Sequence, residues 1–174
     1  MSLLRTAGIA LAVVVAALLQ VALVPHLAWR GIGPDLTLLV VVAAALTWGA
    51  QSGMVMGFLA GAFLDLVPPS DHLVGRWALA FVVVGYLAGR VRAELPTARP
   101  SVGATLATVA ACSFVGTSVF AFTGMLLGDS SLSVGEVLPV IAVGVVWDLA
   151  LTPLVVPPLL RGFARLAVEP GRLR

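Results

Sequence analysis

The sequence predicts an all-helical, polytopic integral membrane protein built as one domain over residues 1–174. Three observations predict it. Hydrophobic residues make up 60% of the chain, charged residues 10%, and mean hydropathy is +1.11, whereas a soluble domain carries about 25% charged residues. The apolar residues fall in long charge-free runs, and a bilayer core about 30 Å thick takes roughly 20 helical residues to cross. The charge of the basic residues is all arginine, gathered in a few places between the runs. This composition excludes a soluble globular enzyme, a disordered chain and a nucleic-acid-binding module. A net charge of +2 is too small to argue for a polyanionic partner.

The elements follow in order. The first run, after Arg5, is too long for the apolar core of a signal peptide, about 7–15 residues, and no clean small-x-small site follows it. It reads as an uncleaved first span over 6–28. The next run, 36–64, would be about 44 Å long as one helix, long for a single tilted span. Trp48-Gly-Ala-Gln-Ser-Gly53 offers a break in its middle, with two glycines, a polar pair and an interfacial Trp. Two short helices, 36–48 and 53–66, are therefore expected, with one long span as the alternative. Further spans are expected over 73–89, 100–127 and 134–160.

Six spans put Arg5, Arg90, Arg92, Arg99, Arg161, Arg165, Arg172 and Arg174 on one side and Arg30 and Arg76 on the other. Arginine-rich loops stay cytoplasmic, so both termini are expected inside. With five spans Arg5 and Arg30 exchange sides, and the C-terminus is still cytoplasmic. The acids mirror this order. Asp35, Asp65, Asp71, Asp129 and Glu136 fall at or near the outer face, Glu94 and Glu169 inside, and Asp148 within the last span.

Several residues stand out for packing or partner contacts. Gly49, Gly53, Gly57 and Gly61 recur every four residues, a spacing that lets helix backbones approach closely. Asp65 continues the series on the same broad face, either as a carboxylate for a partner or as a helix-end acid bonded within the bundle. Asp35 follows Pro34 at the start of an apolar run, where its carboxylate can cap a helix. Asp148 sits mid-span between Gly144 and Thr152. A central Asp costs roughly 2.5–3.5 kcal/mol on insertion scales, so it marks either a functional site or a structural interhelical hydrogen bond. Pro153, Pro157 and Pro158 are expected to kink or end its helix. Gly85-Tyr86-Leu87-Ala88-Gly89-Arg90 closes the fourth span with a second small pair, an interfacial aromatic and, with Arg92, charge suited to anionic headgroups.

The same residues give little support to chemistry. Cys112 is alone in an apolar run, so neither a disulfide framework nor a zinc pattern exists. His26, Asp35, Asp65, Asp71 and His72 lie near one face but show no diagnostic ligand spacing, and no metal or cofactor is expected. No phosphate-binding loop, zinc-protease motif or nucleophile elbow is present. An intramembrane enzyme centred on Asp148 has no second acid or base placed beside it.

The run Pro34-Asp35-Leu36-Thr37-Leu38-Leu39-Val40, then Gly57-Phe58-Leu59-Ala60-Gly61-Ala62-Phe63-Leu64-Asp65-Leu66, then Val84-Gly85-Tyr86-Leu87-Ala88-Gly89-Arg90, resembles the MreD family of bacterial rod-shape-determining membrane proteins. Residues 30–92 carry the specific part, and Asp148 has no assured place in that pattern. The resemblance implies a non-enzymatic scaffold of the cell-elongation (rod) complex in the bacterial inner membrane. Such a scaffold binds the single-span protein MreC and, through it, MreB, the RodA glycosyltransferase and its transpeptidase, helping to coordinate lateral peptidoglycan synthesis. It also implies a six-helix bundle similar to the S components of energy-coupling-factor vitamin transporters. An S component is the competing reading. It would need an outward pocket, which Asp35, Asp65 and Asp148 would line, and an Ala12-x-x-x-Ala16 patch docking on a coupling subunit. Self-association into homo-oligomers is left open.

Overall fold

The computed structural model describes residues 3–29, 31–67, 73–95, 100–128 and 134–167. Arg30, Asp71, His72, Arg99, Asp129, Glu169, Arg172 and Arg174 lie outside the described residues, and with them the sequence expectations that concern them. Among the described residues seven α-helices follow one another: α1 (Leu3–Ala22), α2 (Val24–Leu27), α3 (Leu36–Trp48), α4 (Ala50–Leu66), α5 (Arg76–Glu94), α6 (Val102–Leu126) and α7 (Val134–Ala167). Among the described residues no strand forms, and an isolated bridge joins Trp29 to Ile32. Two helical stretches, Val102–Leu126 and Val137–Leu166, are long and apolar enough to cross a membrane, while α3 and α4 are apolar but shorter.

The first apolar run does not stay helical to residue 28. Pro25 has no N–H, and its ring would meet the carbonyl of Val21 if α1 ran on. The helix stops at Ala22, and the one-turn α2 takes the proline into its first turn, where a missing donor costs nothing. The 36–64 run is two helices. Gly49, at φ 85°, ends α3 and starts α4 in a single residue: its N–H donates to Ala45 O (2.8 Å) and its carbonyl accepts from Gly53 N (2.9 Å). That left-handed backbone favours glycine. α4 thus begins at Ala50, three residues before the expected start, and α5 runs on past Gly89 to Glu94.

The last helix also departs from expectation. α7 continues through Pro139, Pro153, Pro157 and Pro158 and ends beyond 160, at Ala167. Prolines do not stop a helix that is held along its length by neighbours. Thr152 Oγ1 also donates to Asp148 O (2.7 Å) in the turn just before Pro153.

α3 is the hub. Ten of its thirteen residues, Thr37 to Leu46, are buried, and it packs on α1, α4, α5, α6 and α7. Its sequence is apolar on every side, as a helix enclosed by others must be. Around it, α5 runs antiparallel to α6, with Arg76 at Phe120 and Val84 at Cys112. α7 runs parallel to α3, with Asp148 at Asp35 and Phe163 against Trp48, ring centres 4.8 Å apart. Gly8 of α1 meets Leu166. The N-terminal end of α1 and the C-terminal ends of α3, α5 and α7 therefore lie together, and Arg90, Arg92, Arg161 and Arg165 share that end.

α4 and α5 form the closest helix pair. A Cβ on Gly57 would overlap the Phe81 carbonyl, one on Gly61 the Trp77 backbone, one on Gly53 the Gly85 carbonyl, and one on Gly89 the backbone of Ala50. Each added methyl would meet rigid backbone, so the helices must part. Replacing Gly57 by Ala is expected to destabilise the protein by about 1–3 kcal/mol through overpacking. Gly144, with nothing within 4 Å of an added Cβ, should accept Ala neutrally or with a gain in helix propensity. Thermal unfolding of both variants in detergent checks this; equal midpoints would refute a backbone-tight α4–α5 seam.

Candidate functional site

Two polar sites are set into the apolar bundle. The first gathers side chains from α1, α6 and α7 around the start of α3. Asp35 is the N-cap of α3, its Oδ1 accepting from Leu38 N (2.9 Å). Its own backbone N–H donates to Asp148 Oδ1 (2.7 Å). The other Asp148 oxygen, Oδ2, accepts from the Ser113 hydroxyl (2.6 Å). Gln20 of α1 completes the ring: its Oε1 accepts from Leu36 N (2.7 Å) and its Nε2 donates to Pro34 O (3.0 Å). Asp148 and Ser113 are 2% and 1% exposed. The site thus ties four helices together at one level, about 20 Å along α3 from the arginine-rich end.

The second site joins α4 to α5. Asp65, 1% exposed, stands in the last turn of α4 and faces the first turn of α5. Its Oδ2 accepts from Gly75 N (2.9 Å) and Ala78 N (3.1 Å), and its Oδ1 from Trp77 N (3.2 Å). Gly75, the N-cap of α5 at φ 102°, has no side chain to do this. Asp65 supplies the cap from another helix, and a carboxylate is also the charge a helix N-terminus favours. Beside it Arg76 is buried, its Nη2 donating to Phe120 O (2.9 Å) and its guanidinium 4.1 Å above the Phe120 ring. Trp77 stacks on the other side, 4.2 Å from Phe120. Gly124 leaves the room that the guanidinium occupies.

The structure sorts the sequence-predicted residues into separate places. Asp35 and Asp148 meet, 113 positions apart. Gly53, Gly57, Gly61, Gly85 and Gly89 form the α4–α5 seam, with Asp65 at the end away from Gly89, so the glycine face is covered by the same chain rather than turned to a partner. Tyr86 is 44% exposed on the outside of α5, and Arg90 is exposed at the arginine-rich end. Asp35, Asp65 and Asp148 do not line one pocket: each carboxylate binds backbone N–H groups at a helix start. Among the described residues no group of three His, Cys, Asp or Glu is placed to hold a metal ion.

Sequence reasoning missed Gln20, Ser113, Arg76 and Phe120. Gln20 had a signal, a lone amide in an apolar run. Ser113 had none, because α6 carries hydroxyls all along its length.

The sequence profile of the rod shape-determining protein MreD matches residues 2–161 of the 174. The chain belongs to the MreD family. No curated protein and no solved structure matches it. Membership makes it a bacterial membrane protein with a role in rod-shape determination. Both polar sites lie within the part that matches the MreD profile.

In this MreD-family chain the two acids should respond differently to loss of charge. At position 148 an amide fits: its oxygen accepts from Asp35 N–H and its NH₂ donates to the Ser113 oxygen, which can accept as well as donate. Asp148→Asn should keep a near-native thermal midpoint, and Asp148→Val, which orphans the Asp35 N–H, should lose about 1–3 kcal/mol. Asp65→Asn presents one acceptor oxygen to three N–H donors and should be the more damaging amide. Unfolding midpoints of the three variants check this, and equal losses for both Asn variants would refute the assignment.

Proposed function

We propose that this chain is a non-enzymatic scaffold of the bacterial cell-elongation machinery. It crosses the inner membrane six times through α1, α3, α4, α5, α6 and α7, with both termini cytoplasmic. It binds an MreC-like single-span protein and so couples MreB, RodA and its transpeptidase to lateral peptidoglycan synthesis. The MreD profile match over residues 2–161 carries this reading. The chemistry of the sites supports it. Both oxygens of Asp148 and both of Asp65 accept hydrogen bonds from this chain's own groups, which is how an acid fastens one helix to another. The orientation rests on the arginines gathered at one end of the bundle.

The competing S-component reading needs α1 to offer an Ala12/Ala16 patch to a coupling subunit. Ala16 is buried within the bundle and Ala12 packs against its core, which argues against that use.

Affinity capture of the tagged chain from gently solubilised native membranes tests the proposal. The expected result is co-purification of a single-span protein with a large extracytoplasmic part, with cell-wall synthases in substoichiometric amounts. Asp148→Asn should capture as well as the wild type. Recovery of a coupling membrane subunit with paired ATPases would overturn the scaffold reading. Loss of capture with a folded Asp148→Asn would overturn a purely structural Asp148.

A further inference from the structure

A cavity of about 430 Å³ lies at the arginine-rich end, between the α3–α4 turn and the last turns of α5. Trp48, Gly49 and Ala50 form one wall, and Arg90, Arg92 and Leu95 belong to the other. Among the described residues, those that line it include two arginines and no acid. Glu94 lies on the same helix but outside the lining, and is exposed. The three helix ends that meet here do not set the sign by themselves. α3 and α5 bring their negative C-termini, while α4 begins at Gly49 with no side-chain cap and brings a positive N-terminus. The two arginines of the lining therefore decide the sign, and a planar guanidinium suits an oxyanion that it can hold through two oxygens, such as phosphate.

The cavity also has an apolar side and a fixed depth. The Trp48 ring is held against Phe163, and tryptophan settles at the headgroup level of a bilayer. One turn back along α5, toward the bundle, Tyr86 is exposed on the helix exterior, and Val91 is exposed between the two arginines. The volume falls in the range that ligand sites occupy, roughly 300–1,000 Å³. From the juxtaposition of Arg90 and Arg92 with Trp48 and Leu95 around this cavity, we infer that it seats the phosphate headgroup of an anionic glycerophospholipid. The guanidinium groups take the phosphate, and the glycerol and first methylenes lie on Trp48 and Leu95. A free phosphate ion would satisfy the arginines and leave the apolar wall unused.

The inference rests on the chain lying in a membrane and not on its partners, so it is tested on the isolated full-length protein. The protein is purified in mild detergent, exchanged against phosphatidylglycerol or phosphatidylcholine of the same acyl chains, and its retained lipid is counted by native mass spectrometry. The wild type should retain phosphatidylglycerol over phosphatidylcholine. Arg90→Gln with Arg92→Gln should lower that retention roughly tenfold or more, and Arg90→Lys with Arg92→Lys should restore most of it, which also shows that the site folds without arginine. Arg161→Gln with Arg165→Gln, at the same end but outside the cavity lining, should leave retention unchanged. Equal loss in both Gln pairs, or no loss in either, would overturn the site. Displacement of phosphatidylglycerol by millimolar inorganic phosphate would overturn the lipid as its occupant.

Discussion

A helix that starts inside an apolar bundle has backbone donors and no water to take them, and α3 starts in this way. It begins beside the middle of α6 and α7, at the level of Ser113 and Asp148. Every donor that lacks an intrahelical partner there must be met by another part of the chain or left at a cost of several kcal/mol. The chain meets three of them with side chains from two other helices and the cap. Asp148 takes the N–H of Asp35, Gln20 takes that of Leu36, and the Asp35 carboxylate takes that of Leu38; the Asp35 carbonyl then accepts from Leu39 N (3.2 Å) as the first bond of the helix itself. Because these acceptors come from α1 and α7 as well as from α3's own cap, satisfying the start of one helix fixes the positions of three. From Leu38 to Leu46 the hub is then apolar.

The start of α5 poses the same difficulty and receives the same answer. Gly75 gives the chain its turn but no capping oxygen, so Asp65 reaches across from α4 with two. This works because α4 and α5 are already in backbone contact along their glycines, and a wider seam would carry the carboxylate out of range. The glycine series and the acid that follows it are one device. The glycines set the distance, and Asp65 sets the register.

How much of this was readable in the sequence depends on how local the cause is. Asp35 before an apolar run, Gly49 between two apolar runs and glycines at four-residue spacing each act within a turn or two of themselves, and each stands out in the sequence. The partners do not. Gln20 and Leu36 are 16 positions apart and Ser113 and Asp148 35 apart, and nothing near either member names the other. Gly144 and Gly57 look alike in sequence, since each sits four residues from a small or polar neighbour. Only the packing distinguishes them: one faces open space and the other the Phe81 backbone. The prolines were expected to kink or end the last helix, and the helix does not end at them. Their local effect is real, but α7 is held on both sides of them by Asp148 and by Phe163 against Trp48.

Arg76 shows how the bundle bears on orientation. In the sequence it counts as a basic residue of an outer loop, against the arginine bias. In the fold it is a buried side chain at 5% exposure, with its charge set over Phe120 and against the Phe120 carbonyl. A guanidinium held inside the protein is not a loop charge, and loop charges are what orient a membrane protein. Removing Arg76 from the outer count leaves Arg30 as the one arginine between spans on that side, against Arg90, Arg92, Arg161 and Arg165 at the other end of the described bundle. The asymmetry on which the proposed cytoplasmic placement of the arginine-rich end rests is therefore stronger in the folded protein than in its sequence.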